Sequence, residues 1–263
     1  MRLLALLPLL AAFAAAAQEA PERRVLDAEE GAAYAAVGRL NIAGRRFCTA
    51  TLIEPAVVAT AAHCLFHPRT GARVPDSELR FVAGFRQGEY AALREVVRSV
   101  TDEAYIFDGV PDFAAVSTDL ALLALDSPVP AGAAAPIAAG ALGDGALAIV
   151  SYARDRPQLP TLEAPCPVAS DVGGVLALRC GVNFGASGGP VLEGAGADAR
   201  LVAVISAMGR VVASGADVTL AVAVEPGLAE LRAALDGAAA GDFVPPPLPR
   251  PPRDGASDKV EMR

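Results

Sequence analysis

Through most of this chain, short apolar stretches are broken every few residues by Gly, Pro, Asp or Ser. Pieces of that length make strands and are too short for packed helices. Residues 39–42, 46–53, 56–60, 79–85 and 91–100 have this character, and so do 120–125, 146–153, 175–179, 201–207 and 218–224. Ala43-Gly44 supplies a turn between the first two. Only residues 228–235 show helical spacing, with Leu228, Leu231 and Leu235 on one face. Glu225 and Pro226 open that segment and Gly237 closes it, as helix boundaries require. The pattern predicts an all-β barrel or sandwich ending in one helix.

The core of such a protein must be built from Ala, Val, Leu and Ile, because Trp is absent and aromatics are only 5%. At 53% hydrophobic and 20% charged, the chain has the composition of a folded protein. Its formal charge of −8 excludes nucleic-acid binding through a broad basic surface. The single lysine, Lys259, stands near the C-terminal end. A phosphate-loop lysine, a pyridoxal Schiff base or a Ser–Lys dyad would need one inside the folded body.

Arg2 is followed by an apolar run over residues 3–17 that contains Pro8 and ends in small residues. That is a secretory signal peptide, residues 1–17, and places the protein outside the cytoplasm, secreted or periplasmic. After its removal nothing calls for a membrane. Residues 18–24 read as a linker or short propeptide ending at Arg23-Arg24. The Pro-rich stretch 244–252 lies in a tail, residues 239–263, that reads as extended or disordered. Cys48, Cys64, Cys166 and Cys180 are an even set in an exported chain and suggest two disulfides, for which three connectivities exist.

Few residues are equipped for chemistry. Gly185-Ala186-Ser187-Gly188-Gly189-Pro190 places one serine among three glycines. Such a run allows a tight turn whose Gly185 and Ser187 N–H groups point at a developing oxyanion; alone, it is as readily a plain turn. A nucleophile elbow also reads G-x-S-x-G, but that fold needs a histidine after the serine, and none follows Ser187. The only histidines are His63 and His67. His63 follows an apolar strand and precedes Cys64, a rigid setting for a general base. His67 precedes Pro68 and reads as a surface residue. Cys64 stands where a zinc-protease helix would carry glutamate, so a metal site is not expected. Asp119 heads the apolar strand at 120–125, where a buried carboxylate needs partners. Asp108, Asp112 and Asp126 read more simply as turn residues. A subtilisin-like order would use Asp27, the sole aspartate before His63, close to the mature N-terminus; the remaining arrangement for a triad is histidine, aspartate, serine.

Thr60-Ala61-Ala62-His63-Cys64, Asp119-Leu120-Ala121-Leu122-Leu123 and the Ser187 hexapeptide, in this order, resemble the chymotrypsin-like (trypsin-fold) serine proteases. The bacterial branch that includes the glutamyl endopeptidases is the nearer match. The resemblance implies two six-stranded antiparallel β-barrels, residues 25–127 and 128–238, the second with a C-terminal helix. It implies an active site in the cleft between them, with His63 as base, Asp119 as its orienting acid and Ser187 as nucleophile. The spacing of Cys48 and Cys64 matches the family's histidine-loop disulfide. Ser206, in the run 201–209, matches the strand that binds extended substrate.

The departures from the family are informative. Ala186 replaces the aspartate that pairs with a new N-terminus in classical trypsins, so that activation switch should be missing. Gly181 stands where trypsin has its specificity carboxylate. Val182 and Ile205 stand where glutamyl-specific relatives carry polar residues, and Met208 replaces a rim glycine. Gly181, Val182 and Ile205 would favour small or apolar side chains, although Arg210 lies near enough to attract an acidic one. The expectation is a secreted serine endopeptidase acting on polypeptides without metal or organic cofactor. The alternatives are a non-catalytic binding protein on the same fold and a secreted esterase.

Overall fold

A computed structural model describes residues 21–109, 111–211, 215–237 and 260–262. The signal peptide and the proline-rich stretch lie outside these residues. The first half holds β1 (Glu22–Val25), α1 (Ala28–Ala33), β2 (Val37–Ile42), β3 (Arg46–Glu54), β4 (Val57–Thr60), β5 (Leu79–Ala83), β6 (Ala92–Thr101), α2 (Phe113–Ser117) and β7 (Ala121–Leu125). The second holds β8 (Leu147–Ala153), β9 (Arg156–Ala164), β10 (Val168–Val172), β11 (Val175–Leu178), β12 (Pro190–Glu193), β13 (Arg200–Val211), β14 (Asp217–Ala223), α3 (Glu225–Gly237) and β15 (Val260–Met262).

Strands β2-β3-β4-β7-β6-β5 close into a barrel. Its inside is apolar: Leu40, Ile42, Leu52, Leu79, Phe81 and Leu123 share the inward face and are all fully buried. Closure leaves no open edge in the hydrogen-bonding direction, which makes the barrel a rigid mount. The β2–β3 hairpin turns at Ala43 (φ 51°) and Gly44 (φ 63°), and the two positive φ values match the twist of the strands it joins.

The second half does not close in the same way. Its strands form a nine-stranded antiparallel sheet in the order β1-β9-β8-β12-β13-β14-β11-β10, with β15 added on β13. It is a curled half-barrel, so one of the two expected barrels is complete and the other is open. Leu147, Ile149, Leu176, Leu178, Val191 and Ile205 fill its inner face.

Each half receives a terminal element from the other. β1 pairs with β9 in the second sheet, so residues 22–24 of the segment read as a linker or propeptide form an edge strand together with Val25. The helix at the C-terminal end, α3, packs on β6 and β7 of the barrel through Leu231 and Leu235. Arg98 Nη1 donates to the Leu235 carbonyl at 2.8 Å and helps hold the helix end there.

Disulfides join Cys48 to Cys64 and Cys166 to Cys180. The first clips the segment carrying His63 onto β3. The second ties the strand preceding the Ser187 loop to the end of β9. Loops of 16 and 14 residues each remove unfolded-state entropy equivalent to about 3 kcal/mol.

Candidate active site

His63 lies in a single 3-10 turn, Ala62–Leu65, just beyond β4. Asp119 lies between α2 and β7, where Asp112 caps α2 by accepting from Ala115 N at 2.8 Å. The barrel brings the two together because β4 and β7 are neighbours, with Thr60 opposite Ala121. Asp119 Oδ1 accepts from the His63 backbone N–H at 2.8 Å, and Oδ2 meets His63 Nδ1 at 2.7 Å. Ser206 Oγ donates to Oδ2 at 2.5 Å. Asp119 is only 3% exposed, and these donors offset the cost of burying its charge. With Nδ1–H directed at Asp119, Nε2 carries the lone pair.

Tyr105 is a further partner. Burial pushes its hydroxyl well above the usual tyrosine range, and the charges of Asp119 and Asp108 add to that shift, as does a hydrogen bond to Asp119. The phenol therefore stays protonated and supports the carboxylate. No motif marks Tyr105 in the sequence; its place follows from the loop before α2 folding over the cleft.

Ser187 reaches the site from the other half. Its carbonyl accepts from Thr49 N at 2.8 Å, and Gly188 N donates to the Ile205 carbonyl at 2.8 Å. Thr49 Oγ1 donates to the Gly185 carbonyl at 2.9 Å. The serine loop is thus laced to β3 of the barrel as well as to its own sheet. Two glycines permit this. At Gly188 (φ +76°) a Cβ would stand 2.1 Å from Thr60 Oγ1, and at Gly185 (φ +96°) it would stand 2.7 Å from the Phe47 ring. Among the described residues, neither the Gly185 nor the Ser187 N–H donates a hydrogen bond. Two adjacent free donors beside a serine are suited to stabilising an oxyanion.

Ser187 and His63 face one cleft of about 400 Å3. No hydrogen bond joins Ser187 Oγ to His63 in this structure, and such bonds often form only when substrate is held. The cleft is lined by Phe47, Tyr105, Ile106, Phe107, Val116, Val182, Phe184, Ile205 and Met208, together with Ser206 and Ala207. It is predominantly apolar. The Arg46 guanidinium, also at the cleft, donates to the Cys64 and Phe66 carbonyls.

Of the expected pocket residues, Val182, Ile205, Ser206 and Met208 line the cleft. Gly181 does not: its N–H donates to Glu163 Oε1 at 2.6 Å, and Glu163 Oε2 accepts from Arg23 Nε at 2.8 Å. Arg210 is held by Asp217 at 2.9 Å and is not part of the lining. Ala186 is buried in the apolar cluster of the second sheet, so no charge pairs there. His67 stands apart from the cleft, with Nδ1 accepting from Arg69 N at 3.3 Å. Cys48, His63 and Cys64 lie close enough to suggest a metal cluster, but the two sulfurs are bonded to each other. Asp108 lines the cleft, whereas Asp126 is exposed at the far end of β7.

A family model described as Trypsin matches residues 27–150, the barrel and the start of β8. No curated protein sequence matches the chain. Among solved structures, a Glu endopeptidase in complex with MPD aligns with a TM-score of 0.64 at 15% identity, covering 82% of this chain and 96% of the other. The fold is the chymotrypsin fold. A thermostable serine protease from an extremophilic microorganism aligns at 0.61 with 16% identity, over 79% of this chain and 100% of the other. The protease Anisep from Arthrobacter nicotinovorans aligns at 0.59 with 14% identity, over 80% and 97%. The chain is thus similar to chymotrypsin-like bacterial proteases, with a glutamyl endopeptidase among its structural neighbours.

Proposed function

We propose that this protein is an exported serine endopeptidase that cleaves polypeptides through an acyl-enzyme, with His63, Asp119 and Ser187 as its triad. The observation that carries the reading is the buried Asp119, bonded to both the backbone and Nδ1 of His63, across a cleft from a serine flanked by two free N–H groups. Ser187 Oγ attacks the scissile carbonyl while His63 Nε2 takes its proton. The carbonyl oxygen gains negative charge and is held by the Gly185 and Ser187 N–H groups. His63 then gives its proton to the leaving amine, and water repeats the cycle on the acyl ester. Asp119 keeps the tautomer and offsets the imidazolium charge as it forms. No step calls for a metal or organic cofactor.

The side chain before the scissile bond would meet Val182, Ile205 and Met208, so small or apolar residues fit best. Arg210 offers little to an acidic one while Asp217 holds it. The apolar leader and the two disulfides support export. Among the described residues no helix is long and apolar enough to cross a membrane.

The test is fluorophosphonate labelling of the processed protein beside Ser187→Ala, followed by peptides varied at the residue before the cleaved bond. Labelling confined to the wild type and turnover of apolar peptides are expected. Folded protein that never labels would favour the binding-protein reading. Ester turnover without peptide cleavage would favour an esterase.

A further inference from the structure

The cleft-side edge of β13 is shared by three partners in succession. β12 pairs with it as far as Val204, opposite Pro190. At Ile205 the backbone bonds to Gly188 and Gly189. From residue 209 to 211 the partner is β15, with Gly209 opposite Met262 and Val211 opposite Val260. β14 takes the opposite edge of β13 through Arg210, so β15 lies on the same side as β12. Among the described residues, only Ser206, Ala207 and Met208 are left without a strand partner along this edge, and all three line the cleft.

An unpaired sheet edge inside a cleft is a site for strand addition by an extended polypeptide. β15 is antiparallel to β13, and its N-to-C direction runs from Val211 toward Met208. A peptide added antiparallel over residues 206–208 would run the same way, toward Ser187. Its upstream residues would then continue over residues 209–211, the stretch that β15 occupies. We infer that the C-terminal segment is a built-in strand ligand for the upstream end of the substrate edge, so that long polypeptides must displace it and short ones need not. The inference rests on the proteolytic reading given above and adds selection by substrate length, through this chain's own terminus.

The competition is intramolecular. A covalently attached segment acts at an effective concentration on the order of 1 mM, so even a weak strand contact shows in the apparent affinity of a rival. Pairing along an edge also needs backbone N–H groups directed at β13, and successive residues of a strand direct theirs to opposite sides.

The experiment uses the full chain, a chain lacking residues 260–263, and the double variant Glu261→Pro, Met262→Pro. One of the two prolines must remove a donor facing β13, whichever way the pairing alternates. Each protein is assayed on a blocked anilide of about three residues and on a peptide with about eight residues ahead of the cleaved bond. Amide hydrogen exchange is measured at residues 209–211 in the same three proteins. Both altered chains should show a KM for the long peptide lowered about three- to tenfold. The short substrate should be unaffected, and residues 209–211 should exchange faster. A long-to-short KM ratio that is the same in all three proteins overturns the inference, whether or not exchange changes. If none of the proteins cleaves either substrate, the proteolytic reading has failed; exchange at residues 209–211 then still decides whether the terminus docks on β13, and no change there refutes the docking.

Discussion

The barrel and the second sheet solve different problems with the same strands. The barrel is closed, its core is continuous, and it holds His63 against Asp119 through two hydrogen bonds. The second sheet is open and contributes a loop, a free edge and the apolar wall of the cleft. A base must keep its tautomer and direction, so it benefits from a mount without edges. A substrate has to enter as an extra strand, which requires an edge that is not already paired. On the proposed function, closure belongs with the pair that would move the proton and openness with binding.

Perturbing the junction tests that division most severely. Ser187→Ala should lower kcat by roughly 10⁴–10⁶ while leaving the unfolding transition in place, as steady-state kinetics and thermal melts would show. Gly188→Ala should cost about 3 kcal/mol in denaturant unfolding, because its Cβ would collide with Thr60 and its φ is positive. A neutral result there would mean that the serine loop is not fixed by the barrel.

Smaller changes sharpen the contrast. Replacing Cys166 and Cys180 together by Ala should destabilise by about 2–3 kcal/mol and disturb the serine side more than the His63–Asp119 pair. Nuclear magnetic resonance of the Nδ1 proton of His63 would check the second part. Ser206→Ala removes one donor from a buried carboxylate and should reduce kcat/KM about tenfold in steady-state assays.

Tyr105→Phe should have the smallest effect at neutral pH and a distinct one in alkali. The native phenol holds its proton more tightly than the unfolded one. Its stabilising contribution is therefore complete below the ordinary tyrosine pKa of about 10 and is lost as pH rises above it. The variant should lose less stability between about pH 10 and 11 in a urea titration. An identical alkaline slope would show that Tyr105 is not buried against Asp119.

Much of this was legible in the residues. The ten apolar runs all became strands or parts of strands, and the spacing of Leu228, Leu231 and Leu235 marked α3. The strands that escaped did so for different physical reasons. β9 carries Pro157 and Pro160, which argue against a strand interior; both precede Thr161–Ala164, the part of β9 that β1 pairs with, so neither removes a donor from that ladder. β1 is polar and exposed, and β10 is exposed along most of its length, so neither shows the alternation that marks a half-buried strand. β12 is hidden because its Pro190 also ends the serine motif. At the site, motifs located His63, Asp119 and Ser187, whereas Phe47 comes from β3, and Tyr105 and Phe184 from loops whose approach is set by the tertiary fold. Gly181 was expected in the pocket but is turned to Glu163, an acceptor far away in sequence.

The exchange of terminal elements has a consequence for the order in which the molecule can be completed. Synthesis delivers β1 well before β9, the strand it must pair with. It delivers the six barrel strands well before α3, the helix that covers β6 and β7. The barrel is made first, yet its cover comes only after every strand of the second sheet except β15 has been made.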